Sequence, residues 1–211
     1  MSADYNPATL AFYEREAATY TARPHDGQFP QLWRFLADLT PGAEILELGC
    51  GGGRDAEEMV RLGFRVTPTD GSPAMAAQAE LRLGRPVRVM TFEALDAEGA
   101  FDAVWASASL LHARAAALPD IFARVRRALR PGGRFWAGFK LGDGEGYDAL
   151  GRYYNFPTEA ALLGAYAAAG PWRSLEVEHE AGSGYGMHGF SGGIRNQMQM
   201  KSRHSGQSRD D

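Results

Sequence analysis

The chain has 211 residues, 45% hydrophobic and 23% charged, enough for one well-buried domain and short for two. A formal charge of −4 and a pI near 5.8 give no electrostatic reason to expect nucleic acid, whose binders carry a basic face. The start has no basic-then-apolar leader and no apolar run reaches transmembrane length, so a cytoplasmic protein without a membrane partner is expected, and Cys50 as the only cysteine excludes an internal disulfide.

Pro7 to Tyr20 reads as a helix, with Leu10, Tyr13, Ala17 and Tyr20 recurring at three- and four-residue steps, a face suited to covering something. Phe29 to Leu39 is a second amphipathic helix, stopped by Pro41-Gly42. Ile45, Leu46 and Leu48 then form a buried strand that runs through Gly49-Cys-Gly-Gly-Gly53 into a helix over Arg54 to Leu62. Phe64 to Thr69 is the second strand. Pro68 removes a ladder donor from what should be an internal strand, which a bulge or an early exit near Asp70 would reconcile.

Ser72-Pro73 is a helix start, a hydroxyl cap followed by proline at the first helical position, and Gly84 is its stop. Strands follow at Val87 to Phe92 and Phe101 to Ala106, then a helix at Pro119 to Leu129 and, after Pro131-Gly132-Gly133, a fifth strand at Arg134 to Lys140. Thr158 to Ala169 is a helix and Ser174 to Glu180 a sixth strand. Alternating strand and helix imply βαβ units and a parallel sheet, whose strand-to-helix turns lie at the carboxyl edge where ligands bind.

The glycine spacing excludes a dinucleotide fingerprint. G-x-G-x-x-G counted from Gly49 needs glycine at Arg54, and counted from Gly51 at Ala56. The chain has instead Glu47-Leu-Gly-Cys-Gly-Gly-Gly53, with Asp70 closing the second strand. This resembles motif I and the ribose-binding acid of the class I S-adenosylmethionine-dependent methyltransferases. An ionised carboxylate only accepts, so it can take both hydroxyls of a ribose at once. The resemblance runs from about Tyr13 to Tyr185 and includes Phe101-Asp-Ala-Val-Trp-Ala-Ser-Ala-Ser-Leu-Leu-His112 and Leu129-Arg-Pro-Gly-Gly-Arg-Phe135. Gly-Arg-Asp55, Ser-Leu-Leu-His112 and Phe-Lys140 look like small bacterial members related to the tellurite-resistance type.

The resemblance implies an α/β, Rossmann-like, doubly wound, mostly parallel sheet with a helical cover over residues 1–40 and a methyltransferase core over 41–185. It implies S-adenosylmethionine as methyl donor and S-adenosylhomocysteine as product. Glu47, Gly49, Cys50, Gly51 and Gly53 would hold the methionine end and Asp70 the ribose, with Gly71 and Ser72 flanking the adenine. Cys50 reads otherwise as a small filler, and Asp70 as a turn residue. Phe92 and Glu93 match the adenine-contact position, where Phe92 fits plain core equally well, and Ala106 and Ser107 leave strand four beside the methyl position. Arg23 would pair with the cofactor carboxylate or remain a solvated charge.

In-line positioning alone can remove roughly 7 to 11 kcal/mol of barrier, so no catalytic side chain is obligatory. His112 is the candidate acid, base or acceptor contact, against a simple capping or loop role. Lys140 to Tyr147 reads as a Gly-rich lid, and fails as a calcium loop because Asp148 and Tyr154 stand where glycine and glutamate are needed. Arg152, Tyr153 and Tyr154 would face an acceptor or solvent. His179, His188 and His204 are too scattered for metal, and none is expected.

After Gly-Ser-Gly-Tyr185 the chain turns glycine-rich and polar, so residues 186–211 are expected to form a divergent, poorly ordered tail with only a faint period of two at Ile194, Met198 and Met200. The expected function is methyl transfer to a small-molecule acceptor at O, N, S or a metalloid centre, by a monomer or weak homodimer. The alternatives are a non-catalytic S-adenosylmethionine-binding or regulatory protein and a nicotinamide oxidoreductase.

Overall fold

The computed structural model describes residues 6–24, 27–180 and 191–198. Its chain-order elements are α1 (Pro7–Thr21), α2 (Pro30–Leu36), β1 (Glu44–Leu48), α3 (Arg54–Arg61), β2 (Arg65–Asp70), α4 (Pro73–Leu83), β3 (Arg88–Val89), β4 (Phe101–Ala106), α5 (Leu118–Ala128), β5 (Leu129–Lys140), β6 (Gly144–Tyr147), β7 (Tyr153–Phe156), α6 (Glu159–Ala168), β8 (Trp172–Glu180) and β9 (Ser191–Met198). One sheet runs β3-β2-β1-β4-β5-β9-β8, parallel from β3 to β5 and antiparallel beyond. The chain winds outward through β2 and β3 and then returns to β4. The strand order therefore reverses between β1 and β4, where a crevice opens at the carboxyl edge.

Period-two alternation builds two cores. Leu46, Leu48, Val104, Ala106, Phe135, Ala137 and Phe139 face α5 and α6, while Ile45, Ala103, Trp105 and Trp136 face α2 and α3. Trp105 and Trp136 stack 4.0 Å apart at 14°, a pairing worth about 0.5–1.5 kcal/mol beyond burial. Local capping acts as its residue types require. The Ser72 hydroxyl accepts from the Met75 N–H, and Gly84 closes α4 at φ +62°.

Pro68 is tolerated without a bulge in the β1–β2 register. The Arg65 N–H points to Ala43 and the Asp70 carbonyl to Met90, so alternation aims the Pro68 nitrogen toward β3. That strand pairs only from Thr69 onward, and no ladder donor is needed at Pro68.

Four expectations change. The expected strand at Val87 to Phe92 shortens to two residues, and Phe92–Ala94 turns as a 3₁₀ segment. Pro131 to Gly133 lies inside a longer β5 as a register shift against β4, where the backbone folds back so closely that a Cβ at Gly133 would meet the Arg130 carbonyl oxygen at 2.9 Å. The Gly-rich stretch after Lys140 is a hairpin of β6 on β7 and not an open loop. Residues 191–198, expected in a poorly ordered tail, form β9, ladder-paired to β5 and β8; backbone pairing on both sides builds a strand where side-chain periodicity is faint. Residues 186–190 and 199–211 lie outside the described residues. Among the described residues no helix is long and apolar enough to cross a membrane.

Candidate functional site

A cleft of about 350 Å³ lies over the carboxyl ends of β1, β2 and β4. Its floor is the turn from β1 into α3. Gly49 and Gly51 sit at φ +72° and +56°, in the left-handed region that favours glycine. A Cβ at Gly49 would stand 2.5 Å from the Ser109 Cβ, so this glycine is needed to pack the loop after β4 as well as to bare the floor. Ala108, in that loop, is the one non-glycine described residue with positive φ, at +49°, local strain of the kind that collects at ligand sites.

Two carboxyls flank the turn. Glu47 is 3% exposed and lines the cleft, and its Oε2 has no hydrogen-bond partner among the described residues. Burial, reinforced by Asp55 and Asp70, holds its pKa well above the usual carboxylate range. Asp70 takes the Gly51 N–H on Oδ2 and the Ser72 N–H on Oδ1, each at 2.9 Å. Those bonds leave lone pairs on both oxygens. Burial pushes its pKa up to about 6 against these donors.

α1 forms the roof. Asn6 caps it by accepting from the Ala8 and Thr9 N–H groups, and its Leu10, Tyr13 and Tyr20 line the cleft. Glu14 fastens it to α4, accepting from the Ser72 hydroxyl at 2.6 Å and the Ala74 N–H at 3.0 Å. α2 packs with Ile45, Met59 and the tryptophans on the other core instead. The end wall joins α1, the segment after β4 and the hairpin: His112 Nε2 meets the Tyr13 hydroxyl at 3.0 Å and Nδ1 meets the Tyr153 carbonyl at 2.7 Å. Burial pushes the His112 pKa down to about 4, with Arg152 and Lys140 contributing, so the ring is neutral.

Of the residues expected at the site, Glu47, Gly49, Cys50, Gly51, Asp70, Gly71, Phe92 and His112 line the cleft. Gly53, Ser72, Glu93, Ala106 and Arg23 do not. Gly53 begins α3 against Ala79, and the Ser72 hydroxyl is spent on capping and on Glu14. Ala106 packs in the α5-side core, and Arg23 lies over the Tyr20 ring at 4.6 Å. The guanidinium that does line the cleft is Arg54, which donates to the carbonyls of Thr21 and Arg23. Arg152, Tyr153 and Tyr154 are not a surface. Both tyrosines are buried and Arg152 pairs with Asp148 at 2.6 Å. Tyr13, Arg54, Asp55, Met75, Met90, Thr91, Ser107 and Ser109 also line the cleft. The stripe on α1 signalled Tyr13 in the sequence and the exit of the fourth strand signalled Ser107, whereas no local pattern marks the others.

Residues 46–137 match a sequence family described as "Methyltransferase domain". Over that stretch the chain is similar to methyltransferases, and its sheet order is that of the class I methyltransferase fold. A ubiquinone biosynthesis O-methyltransferase of Paramagnetospirillum magneticum is 37% identical over 139 residues, covering 62% of this chain and 50% of that protein. The chain thus spans half the length of that relative. In structure the domain resembles the 1,6-didemethyltoxoflavin-N1-methyltransferase of Burkholderia thailandensis, solved with 1,6-didemethyltoxoflavin and S-adenosylhomocysteine, at TM-score 0.73 and 23% identity over 95% of this chain and 92% of the other. It also resembles the [4+2]-cyclase SpnF, at TM-score 0.70 and 18% identity over 92% and 97%. The fold is common to these proteins, and the chemistry is each protein's own.

Proposed function

We propose that this methyltransferase domain binds S-adenosylmethionine in the cleft and transfers its methyl group to a hydroxyl of a small-molecule acceptor. The observation that carries this reading is the pairing of the buried Glu47 and half-buried Asp70 carboxyls across one glycine turn, with Glu47 Oε2 lacking any partner among the described residues and Asp70 keeping lone pairs on both oxygens. A buried, orphaned carboxyl suits a cationic amino group, and a carboxylate with spare acceptors suits a pair of ribose hydroxyls. Arg54 is the lining cation for a carboxylate, and Leu10, Gly71, Met75, Met90 and Phe92 make an apolar slot for a base.

When bound, S-adenosylmethionine supplies a methyl group made electrophilic by its sulfonium. The chain's own part is to orient and to exclude water. Ser107 to Ser109 line the cleft after β4, α1 roofs it, and Tyr13 with His112 closes the far end, where an acceptor would lie. A hydroxyl acceptor agrees with the relative's name. The non-catalytic alternative drew on an irregular C-terminus, and β9 in the sheet weakens that ground.

Titration calorimetry with S-adenosylhomocysteine tests the cofactor, and transfer of a tritiated methyl group to a panel of phenols tests turnover. Asp70→Ala is expected to weaken binding by about 1 to 3 kcal/mol, the cost of leaving buried donors unpaired. An unchanged dissociation constant would remove Asp70 from the site. Stabilisation by NAD without stabilisation by S-adenosylhomocysteine would overturn the reading.

A further inference from the structure

We infer that Asp55 is a second carboxylate for the ammonium of the cofactor's amino-acid end, acting beside Glu47 and setting selectivity for ligands that carry that group; this rests on the methyltransferase reading above. Glu47 and Trp105 are register partners on the parallel strands β1 and β4, so both side chains leave the sheet on the face that α3 covers. Asp55 stands in the first turn of α3 and lines the cleft, half-buried. The Trp105 indole N–H donates to its Oδ2 at 2.7 Å. Trp105 is itself buried and stacked on Trp136, so the group that fixes this carboxylate is held in the core.

An acid in the first turn of a helix complements the helix dipole wherever its side chain points. That role needs no cleft. Here the carboxylate shares the cleft with Glu47, which is 3% exposed and whose Oε2 has no hydrogen-bond partner among the described residues. Burial, then Asp55 and then Asp70, oppose the ionised form of Glu47, which puts the Asp55 charge within electrostatic reach of that carboxyl. Asp70 already accepts from the Gly51 and Ser72 N–H groups and is the ribose acid of the reading above.

An ammonium has three N–H donors, and a site that takes it from water must supply acceptors and offset its charge. Glu47 alone offers one orphaned oxygen, and burial disfavours its charge. Asp55 adds the second carboxylate. Arg54, the residue before it, also lines the cleft and donates to the carbonyls of Thr21 and Arg23. The first turn of α3 therefore sets a cation beside an anion. Only the amino-acid end of S-adenosylmethionine is a zwitterion, and it is the one part of that molecule that both signs fit.

The test is titration calorimetry on the full chain with S-adenosylhomocysteine, its analogue without the amino group and its analogue without the carboxylate. Asp55→Asn keeps an oxygen for the Trp105 indole and removes the charge. It should weaken the two ligands that carry the ammonium by at least about tenfold, the worth of a charged hydrogen bond, and leave the deaminated analogue unchanged. Asp55→Ser, a second variant without the charge, should show the same pattern, with near-ultraviolet circular dichroism reporting the fold of each. Glu57→Gln removes an exposed acid from the same turn of α3 and should leave all three ligands unchanged. Equal losses on all three ligands in the Asp55 variants, no loss on any, or the ammonium-selective loss in Glu57→Gln would each overturn the inference. Two levels separate cleanly: wild-type binding of S-adenosylhomocysteine without an ammonium-selective loss at Asp55 defeats this inference alone, whereas absent wild-type binding defeats the methyltransferase reading beneath it.

Discussion

His112 donates its Nδ1 proton to the Tyr153 carbonyl at 2.7 Å, because a carbonyl can only accept, and this bond sets the role of the other nitrogen. Nε2 must accept, so the Tyr13 hydroxyl at 3.0 Å is the donor. The pair ties α1 to the segment after β4, and through Tyr153 to the hairpin. Tyr13→Phe keeps the ring contacts with Phe12 and Tyr20 but leaves Nε2 without its donor. Stability in a urea titration should fall by about 0.5–1.5 kcal/mol. His112→Asn should remove most of that penalty in the double variant, and additive losses would show that the two side chains act independently.

Much of the fold is legible in the sequence because its signals are local. Ser72-Pro73 and Gly84 mark both ends of α4 through capping chemistry within one turn, and a short apolar run marks β4 from Phe101 to Ala106. Elements fixed by distant partners are not legible. The extent of β3 depends on which residues Thr69 and Asp70 reach, and β9 depends on β5 and β8 for its bonds. The site divides in the same way. Glu47, Gly49, Gly51 and Asp70 follow from one contiguous motif and the next strand's end, whereas the Tyr13–His112 bond spans 99 residues and the Tyr13–Arg152 contact 139.

Burial pushes the Glu47 pKa well above the ordinary carboxylate range and so favours its protonated form in the free protein. A cationic amino group placed against the orphaned Oε2 would favour the ionised form and expel that proton. Binding of S-adenosylhomocysteine near neutral pH should therefore be accompanied by proton release. Calorimetry in buffers of different ionisation enthalpy measures this directly. Glu47→Gln should bind more weakly with no release, and an unchanged release in that variant would assign the proton elsewhere.

Gly49 meets two demands at once, a φ of +72° and a Cβ position 2.5 Å from the Ser109 Cβ. Gly63, at φ +89° with open space around it, carries only the first. Gly63→Ala should cost about 1–2 kcal/mol for the left-handed backbone, and Gly49→Ala distinctly more. Ser109→Gly in the Gly49→Ala background should recover part of the excess, because it removes the atom that collides. Equal costs at the two glycines would mean that the loop after β4 yields freely.

The same burial that builds the site gives two groups opposite pH dependences. His112 titrates near 4 in the folded chain against 6.5 ordinarily, so between those values the unfolded chain holds the extra proton and stability falls as pH falls. Asp70 titrates near 6 against 3.8, so between those values the folded chain holds the extra proton and stability rises as pH falls. The two slopes oppose each other between about pH 4 and 6, and each becomes visible when the other group is removed. Relative to wild type, His112→Asn should gain stability as pH drops from 6.5 to 4, and Asp70→Asn should lose it as pH drops from 6 to 3.8. Urea titrations across that range read both differences. Curves that stay parallel to wild type for either variant would mean that the group titrates at its ordinary value and is not held in a desolvated cleft.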